Sequence, residues 1–200
     1  MQFTTDPRSG RFVGTFDPPH LAHVALARAA MSALALSRLL WIPAGQPWQK
    51  TRVITAAEHR EAMVNLAIGN EPGWALERCE LQRSGPSYML DTVQTLQQRG
   101  PAEATWFLVI GEDQLAGLHT WHRFEDLLQR VTLAVAGRPG HWPALDPRVQ
   151  ALAAQAVPLP PMPHSATQVR AMASRGEDIS GLVPAPVARY IAQHRLYAGG

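Results

Sequence analysis

Two kinds of apolar spacing alternate along the chain. Short apolar runs occur at Phe12-Val13, Leu39-Leu40-Trp41-Ile42, Trp106–Ile110 and, broken only by Thr132, Val131–Ala136. Between them lie longer stretches, His20–Leu36, Ala56–Ile68 and Ser87–Arg99, whose apolar residues recur every three or four positions. The first kind is the signature of strands buried on both faces and the second of amphipathic helices. Strand, helix, strand over the first forty residues is a βαβ unit, which implies parallel pairing and a right-handed crossover. Trp74–Leu81 reads as a further strand and Trp121–Gln129 as a helix. The proline-rich stretch 139–161 predicts loop with at most short elements. Ser165–Ser174 reads as a helix capped by Ser165, and Pro184 opens a last helix reaching about His194. The expected architecture is α/β, a doubly wound, mostly parallel sheet in a single domain, with ligands at the carboxyl ends of the strands. Residues 1–11, polar and turn-rich, are expected to form a flexible leader before a domain spanning 12–198, whose part from 162 to 198 is helical.

Composition narrows the function classes. Hydrophobic residues make up 46% of the 200 and charged ones 17%, with a net charge of +2, the profile of a soluble globular protein. The 18 basic side chains are all arginine except Lys50, and they form no block, so no nucleic-acid partner is expected. Cys79 is the single cysteine, which excludes an intrachain disulfide. No apolar run has membrane-spanning length, and the N-terminus lacks an apolar signal core, so a cytoplasmic enzyme is expected.

The densest chemistry is in Phe12-Val13-Gly14-Thr15-Phe16-Asp17-Pro18-Pro19-His20-Leu21-Ala22-His23. A strand enters a glycine turn, crosses two prolines and opens a helix with two histidines three residues apart. Gly14 permits close backbone approach to a ligand. The first helical turn offers unpaired N–H groups and a positive dipole end, a site suited to phosphate. Two imidazoles on one face of that turn add donors. Polar capping and metal binding are the other readings of such a pair; the metalloprotease pattern, however, spaces its histidines by four with a glutamate between.

This stretch resembles the (G)-G-T-F-D-P-x-H-x-G-H signature of the nucleotidyltransferase superfamily of adenylyl- and cytidylyltransferases, with Val13 and Ala22 in place of two glycines. Within it the strongest resemblance is to bacterial nicotinate-nucleotide adenylyltransferases. His164-Ser165-Ala166-Thr167-Gln168-Val169-Arg170 alone is an ordinary helix start. Beside the first motif it resembles the family's I-S-(S/A)-T-x-x-R, with His164 in the aliphatic position. Ile110-Gly111-Glu112-Asp113-Gln114-Leu115 is similar to I-G-x-D-x-L, and His119-Thr120-Trp121-His122 to x-T-W-(Y/H). Ser87-Tyr88-Met89-Leu90-Asp91-Thr92 resembles S-Y-T-x-D-T, and Pro43 to Lys50 resembles P-x-x-x-P-P-H-K with Trp48 and Gln49 departing from it.

The resemblance spans residues 12–197 and implies a Rossmann-like nucleotidyltransferase fold. Its implied ATP contacts are Gly14, Thr15, Phe16, His20, His23, Lys50, Gly111, Asp113, Ser165, Thr167 and Arg170, with His20, His23 and Arg170 catalytic. Nicotinate mononucleotide is expected at Ser87, Tyr88, Thr92, Trp121 and His122. Mg2+ would arrive with ATP rather than at a protein-held metal site, and a homo-oligomer is compatible with the sequence. The implied reaction is attack of a mononucleotide phosphate on the α-phosphorus, without general base or covalent intermediate. The alternatives are an adenylyltransferase for nicotinamide mononucleotide or phosphopantetheine, a histidine metallohydrolase, and a non-catalytic nucleotide-binding module.

Overall fold

The computed structural model describes residues 8–47, 53–101, 104–137 and 146–198. In chain order the first half comprises β1 (Arg8–Gly14), α1 (Leu21–Ala33), β2 (Arg38–Pro43), α2 (Ala57–Ile68), β3 (Trp74–Leu76) and α3 (Met89–Arg99). The second comprises β4 (Thr105–Ile110), α4 (Glu112–Ala116), a 3-10 turn (Leu118–Thr120), α5 (Phe124–Leu128) and β5 (Thr132–Ala136). Then come α6 (Pro147–Gln150), β6 (Ala154–Val157), α7 (Ala166–Ser174) and α8 (Ala185–Gln193).

The strands form one sheet in the order β3-β2-β1-β4-β5-β6, with every pairing parallel. The chain winds outward from β1 to β3, then returns to β4 and winds the other way. The crevice at the carboxyl ends of β1 and β4 is therefore the switch point where such sheets bind ligands. Pleating sends alternate residues to opposite faces. Leu39, Trp41, Phe107, Val109 and Ala134 pack with Val24, Ala27 and Ala30 of α1 on one side. Leu40, Ile42, Leu108, Ile110, Leu133 and Val135 meet Leu90, Val93 and Leu127 on the other. Both faces are covered, which is why these strands read as unbroken apolar runs.

A third apolar cluster places the C-terminal helices. Val169 of α7, Ile179, Val183, and Val187 and Ile191 of α8 pack on Met63 and Ala67 of α2. This docking brings the first turn of α7 to the carboxyl ends of the sheet. It also brings the Leu182 carbonyl to the Leu21 N–H, at 2.9 Å.

Three expectations change. Arg8–Arg11, expected to belong to a flexible leader over 1–11, are strand instead, since β1 starts at Arg8 and pairs with both β2 and β4 through its polar residues; residues 1–7 lie outside the described residues. Arg11 is buried there, its guanidinium 3.6 Å from the Trp106 ring centroid, so packing overrides a polar sequence. The strand expected over Trp74–Leu81 stops at Leu76, and Cys79–Gln82 form turns instead. The helix expected from Trp121 begins at Phe124, while α4 was invisible to periodicity because it is only 5 residues long. The proline-rich stretch contains two short elements, α6 and β6, and the latter completes the sheet against β5. No helix among the described residues is long and apolar enough to cross a membrane.

Candidate active site

A cavity of about 960 Å³ opens at the carboxyl ends of β1 and β4. Gly14, Thr15, Phe16, His20 and His23 line it from the first motif, Gly111 and Asp113 from the start of α4, and Ser165, Thr167 and Arg170 from α7. Lys50 lies outside the described residues. Folding thus brings three sequence segments around one space.

Their roles within it differ. Phe16 is 2% exposed, and its left-handed φ of 49° turns the ring inward onto Phe12, centroids 5.3 Å apart. A Cβ on Gly14 would lie 3.0 Å from that ring, so the glycine accommodates Phe16 rather than only a ligand. His20 caps α1 in extended geometry, just after a cis Asp17–Pro18 bond. The expected donor-rich first turn of α1 is mostly occupied, because Leu21 N–H donates to Leu182 and His23 N–H to the His20 carbonyl. The side-chain donors this end offers to the cavity are the imidazoles.

Those imidazoles stack on each other with centroids 3.7 Å apart. His23 Nδ1 accepts the His20 backbone N–H at 3.1 Å, which leaves the neutral ring its proton on Nε2. Burial, with His20 beside it, holds the His23 pKa well below the ordinary value. His20 is pushed down to about 4 by burial and by His164, and its Nδ1 has no partner among the described residues. Both rings are therefore neutral N–H donors at physiological pH.

Arg170 is aimed by two bonds: Nη1 donates to the Asp17 carbonyl at 2.7 Å and Nη2 to Thr167 Oγ1 at 3.1 Å. Asp17, 1% exposed, accepts Tyr197 Oη–H at 2.8 Å and Thr55 N–H at 3.4 Å. The end of the chain is thereby tied to the first motif. Ser165 Oγ caps α7 by accepting Gln168 N–H at 3.2 Å. The N–H groups of Ala166 and Thr167 precede the first intrahelical bond, and both residues line the cavity. Asp113 lies in the first turn of α4, where Gly111 is the cap.

A second, smaller cavity of about 100 Å³ adjoins the first and shares Val13, Gly14, Thr15 and Gln114 with it. Ser87, Tyr88, Trp121 and His122 line it, and Tyr88 stacks on His122 with centroids 4.2 Å apart. Thr92, expected beside them, is fully buried outside the lining. Its hydroxyl donates to Glu80 Oε1 at 2.8 Å. Met89 lines the cavity at the N-terminus of α3, where the N–H groups of Met89, Leu90 and Asp91 precede the first intrahelical bond.

Sequence reading missed the residues that hold the two cavities together. Arg60, 2% exposed, donates to the carbonyls of Thr55 (2.9 Å), Thr15 (3.0 Å), Ala44 (2.6 Å) and Gly45 (3.2 Å). It fixes the loops after β1 and β2 together. Asp17, Glu80 and Tyr197 were likewise unassigned. Only Asp17 carried a signal, its place inside the first motif.

The family described as cytidylyltransferase-like matches residues 11–172. The chain is similar to a probable nicotinate-nucleotide adenylyltransferase of Methylibium petroleiphilum, 46% identical over 99% of this chain and 96% of that one. A protein of the same description from Bordetella petrii is 45% identical over 95% and 98% of the two chains. Among solved structures, the Plasmodium falciparum nicotinic acid mononucleotide adenylyltransferase complexed with NaAD superposes with a TM-score of 0.76. It covers 95% of this chain and 97% of that chain at 18% identity, a likeness of fold.

Proposed function

The chain belongs to the cytidylyltransferase-like family, and from that premise we propose that it transfers the adenylyl group of ATP to nicotinate mononucleotide. The products are nicotinate adenine dinucleotide and pyrophosphate, in NAD biosynthesis, and the setting is cytoplasmic. The observation that carries this reading is the pair of adjoining cavities sharing the end of β1. One presents imidazole and guanidinium donors and suits a triphosphate. The other presents aromatic rings and a helix N-terminus, and suits a pyridine ring bearing a carboxylate.

In this reading a 5′-phosphate oxygen attacks the α-phosphorus at the shared wall, near Gly14 and Thr15. A new P–O bond forms as the α–β bridge breaks, and the electron pair leaves with pyrophosphate. The attacking phosphate is already an anion, so positioning and charge stabilisation suffice. His20 and His23 donate from neutral rings to charge that grows in the transition state. Arg170, the N–H groups opening α7 and Lys50 hold the departing phosphates. Asp113, at the end of β4, would accept from ribose hydroxyls. Magnesium enters with ATP as part of the substrate and neutralises phosphate charge. Trp121 stacks on the pyridine, and the N–H groups of Met89–Asp91 receive its carboxylate.

The test is pyrophosphate release with ATP against a panel of mononucleotides. Nicotinate mononucleotide is expected to give the highest kcat/KM. Equal or faster turnover of the nicotinamide compound, or of phosphopantetheine, would assign the enzyme to another branch.

A further inference from the structure

Two strained backbone positions flank one hydrogen bond. Phe16 sits at φ 49°, and Tyr197, just past the end of α8, at φ 66°, a left-handed region that bulky side chains disfavour. Such positions persist only where surrounding contacts over-determine them, and they collect at functional sites. The bond between them runs from Tyr197 Oη–H to Oδ1 of Asp17, the residue after Phe16, at 2.8 Å. Thr55 N–H holds the other carboxylate oxygen at 3.4 Å, while the Thr55 carbonyl accepts Arg60 Nε at 2.9 Å. Burial, the Asp17 charge and the bond to Asp17 raise the Tyr197 pKa, against the Thr55 side chain and the Arg170 charge, so the hydroxyl keeps its proton.

Arg170 takes its aim from the same residue. Its Nη1 donates to the Asp17 carbonyl at 2.7 Å, and a carbonyl points wherever its residue is turned. Thr167, which accepts Nη2, belongs to α7 itself, so Asp17 is the contact that relates the guanidinium to the first motif. Residue 17 lies between the end of β1 at Gly14 and the start of α1 at Leu21, with no strand ladder to hold it. Its side chain is therefore the handle by which its orientation is set.

We propose that Tyr197 is a positioning residue for the transfer reaction: by pinning the Asp17 side chain it fixes the carbonyl that aims the Arg170 guanidinium at the departing phosphates. This role rests on reading the larger cavity as the triphosphate site. Tyr197 lies outside the lining of that cavity and acts through its two neighbours. Docking the end of the chain would need only the ring, which packs on the third apolar cluster. The hydroxyl is the part that reaches Asp17, so the two roles separate in a single substitution. Small displacements of a group that stabilises transition-state charge are costly, a shift of about 1 Å being worth up to about 10²-fold in rate.

The experiment is a double-mutant cycle on pyrophosphate release from ATP and nicotinate mononucleotide, in wild type, Tyr197→Phe, Arg170→Ala and the double variant, with urea midpoints alongside. Phenylalanine keeps the ring in its cluster and removes only the hydroxyl. Tyr197→Phe is expected to lower kcat about tenfold while the KM for nicotinate mononucleotide holds steady. In the Arg170→Ala background, where no guanidinium remains to be aimed, the same substitution should change kcat by less than about twofold. A lowered urea midpoint with kcat unmoved would make the bond a docking contact and overturn the proposal, as would wild-type behaviour in both measurements. A tenfold loss repeated in the Arg170→Ala background would also overturn it, because the hydroxyl would then act without Arg170. Failure of the triphosphate-site reading looks different: wild type releases no pyrophosphate with any mononucleotide, or Arg170→Ala is as active as wild type, and the proposal falls with it.

Discussion

The two cavities meet at the end of β1, yet they are built in different ways. The larger takes its chemistry from contiguous motifs, His20 and His23 on one helix turn and Ser165, Thr167 and Arg170 on another. The smaller is assembled from segments that each contribute one or two side chains, held by bonds such as Gly45 to Ser87 and Thr92 to Glu80. A phosphate is a compact, nearly isotropic anion, and a single helix start supplies several donors to it. A substituted pyridine is flat and directional, so its recognition requires a stacking face and an oriented edge that no single turn provides. On the proposed function, common machinery and substrate choice would be separated in space, so that each could be perturbed without the other.

The largest effect is expected from His20→Ala, which removes a donor to the charge that develops in the transition state. kcat should fall about 10²–10³-fold with little change in KM for ATP, and equally for acid and amide mononucleotides. Steady-state kinetics on both substrates checks this; a changed acid-to-amide ratio would break the division between the cavities. Arg170→Lys comes next, because one ammonium cannot both keep the Asp17 and Thr167 bonds and present a fork to phosphate. A loss of about 10–100-fold in kcat/KM for ATP is expected. Trp121→Ala should raise the KM for both mononucleotides about tenfold through lost stacking, leaving the KM for ATP in place.

The smallest effect near neutrality concerns pH. The pKa of His20 drops from 6.5 to about 4 on folding, so between those values the unfolded chain binds more protons than the folded one. Stability from this group is complete above pH 6.5 and is lost as pH falls toward 4, with His23 acting in the same direction. Urea denaturation across that window should therefore show a steeper loss in wild type than in His20→Asn. In the same window ATP binding should take up protons, since an adjacent polyanion raises both pKa values; calorimetry in buffers of different ionisation enthalpy reads this directly.

What was legible in the sequence follows the same line as the two cavities. The buried parallel strands were readable because a strand covered on both faces must be apolar throughout, and β2 and β4 appear where expected. The motifs bearing His20, His23 and Arg170 were readable because each gathers its polar residues within a few positions of one another. β6 was hidden by surrounding prolines and half-exposed residues, and it forms because β5 offers an open edge. Thr92 was placed with the ligand, whereas its hydroxyl faces Glu80 and Arg83.

By itself the sequence determined the α/β architecture and the helix starts at His20 and Ser165, since these depend on local spacing and periodicity, and it pointed to the family through motifs of adjacent residues. Only the tertiary structure decided that Arg60 spans the loops after β1 and β2, and that the α1 donors are already taken. It alone brings Tyr197, near the end of the chain, onto Asp17 across 180 residues. Burial makes these partners obligatory, because an enclosed charge or carbonyl must be satisfied by whatever group the fold brings to it. No local pattern in the sequence says which group that is.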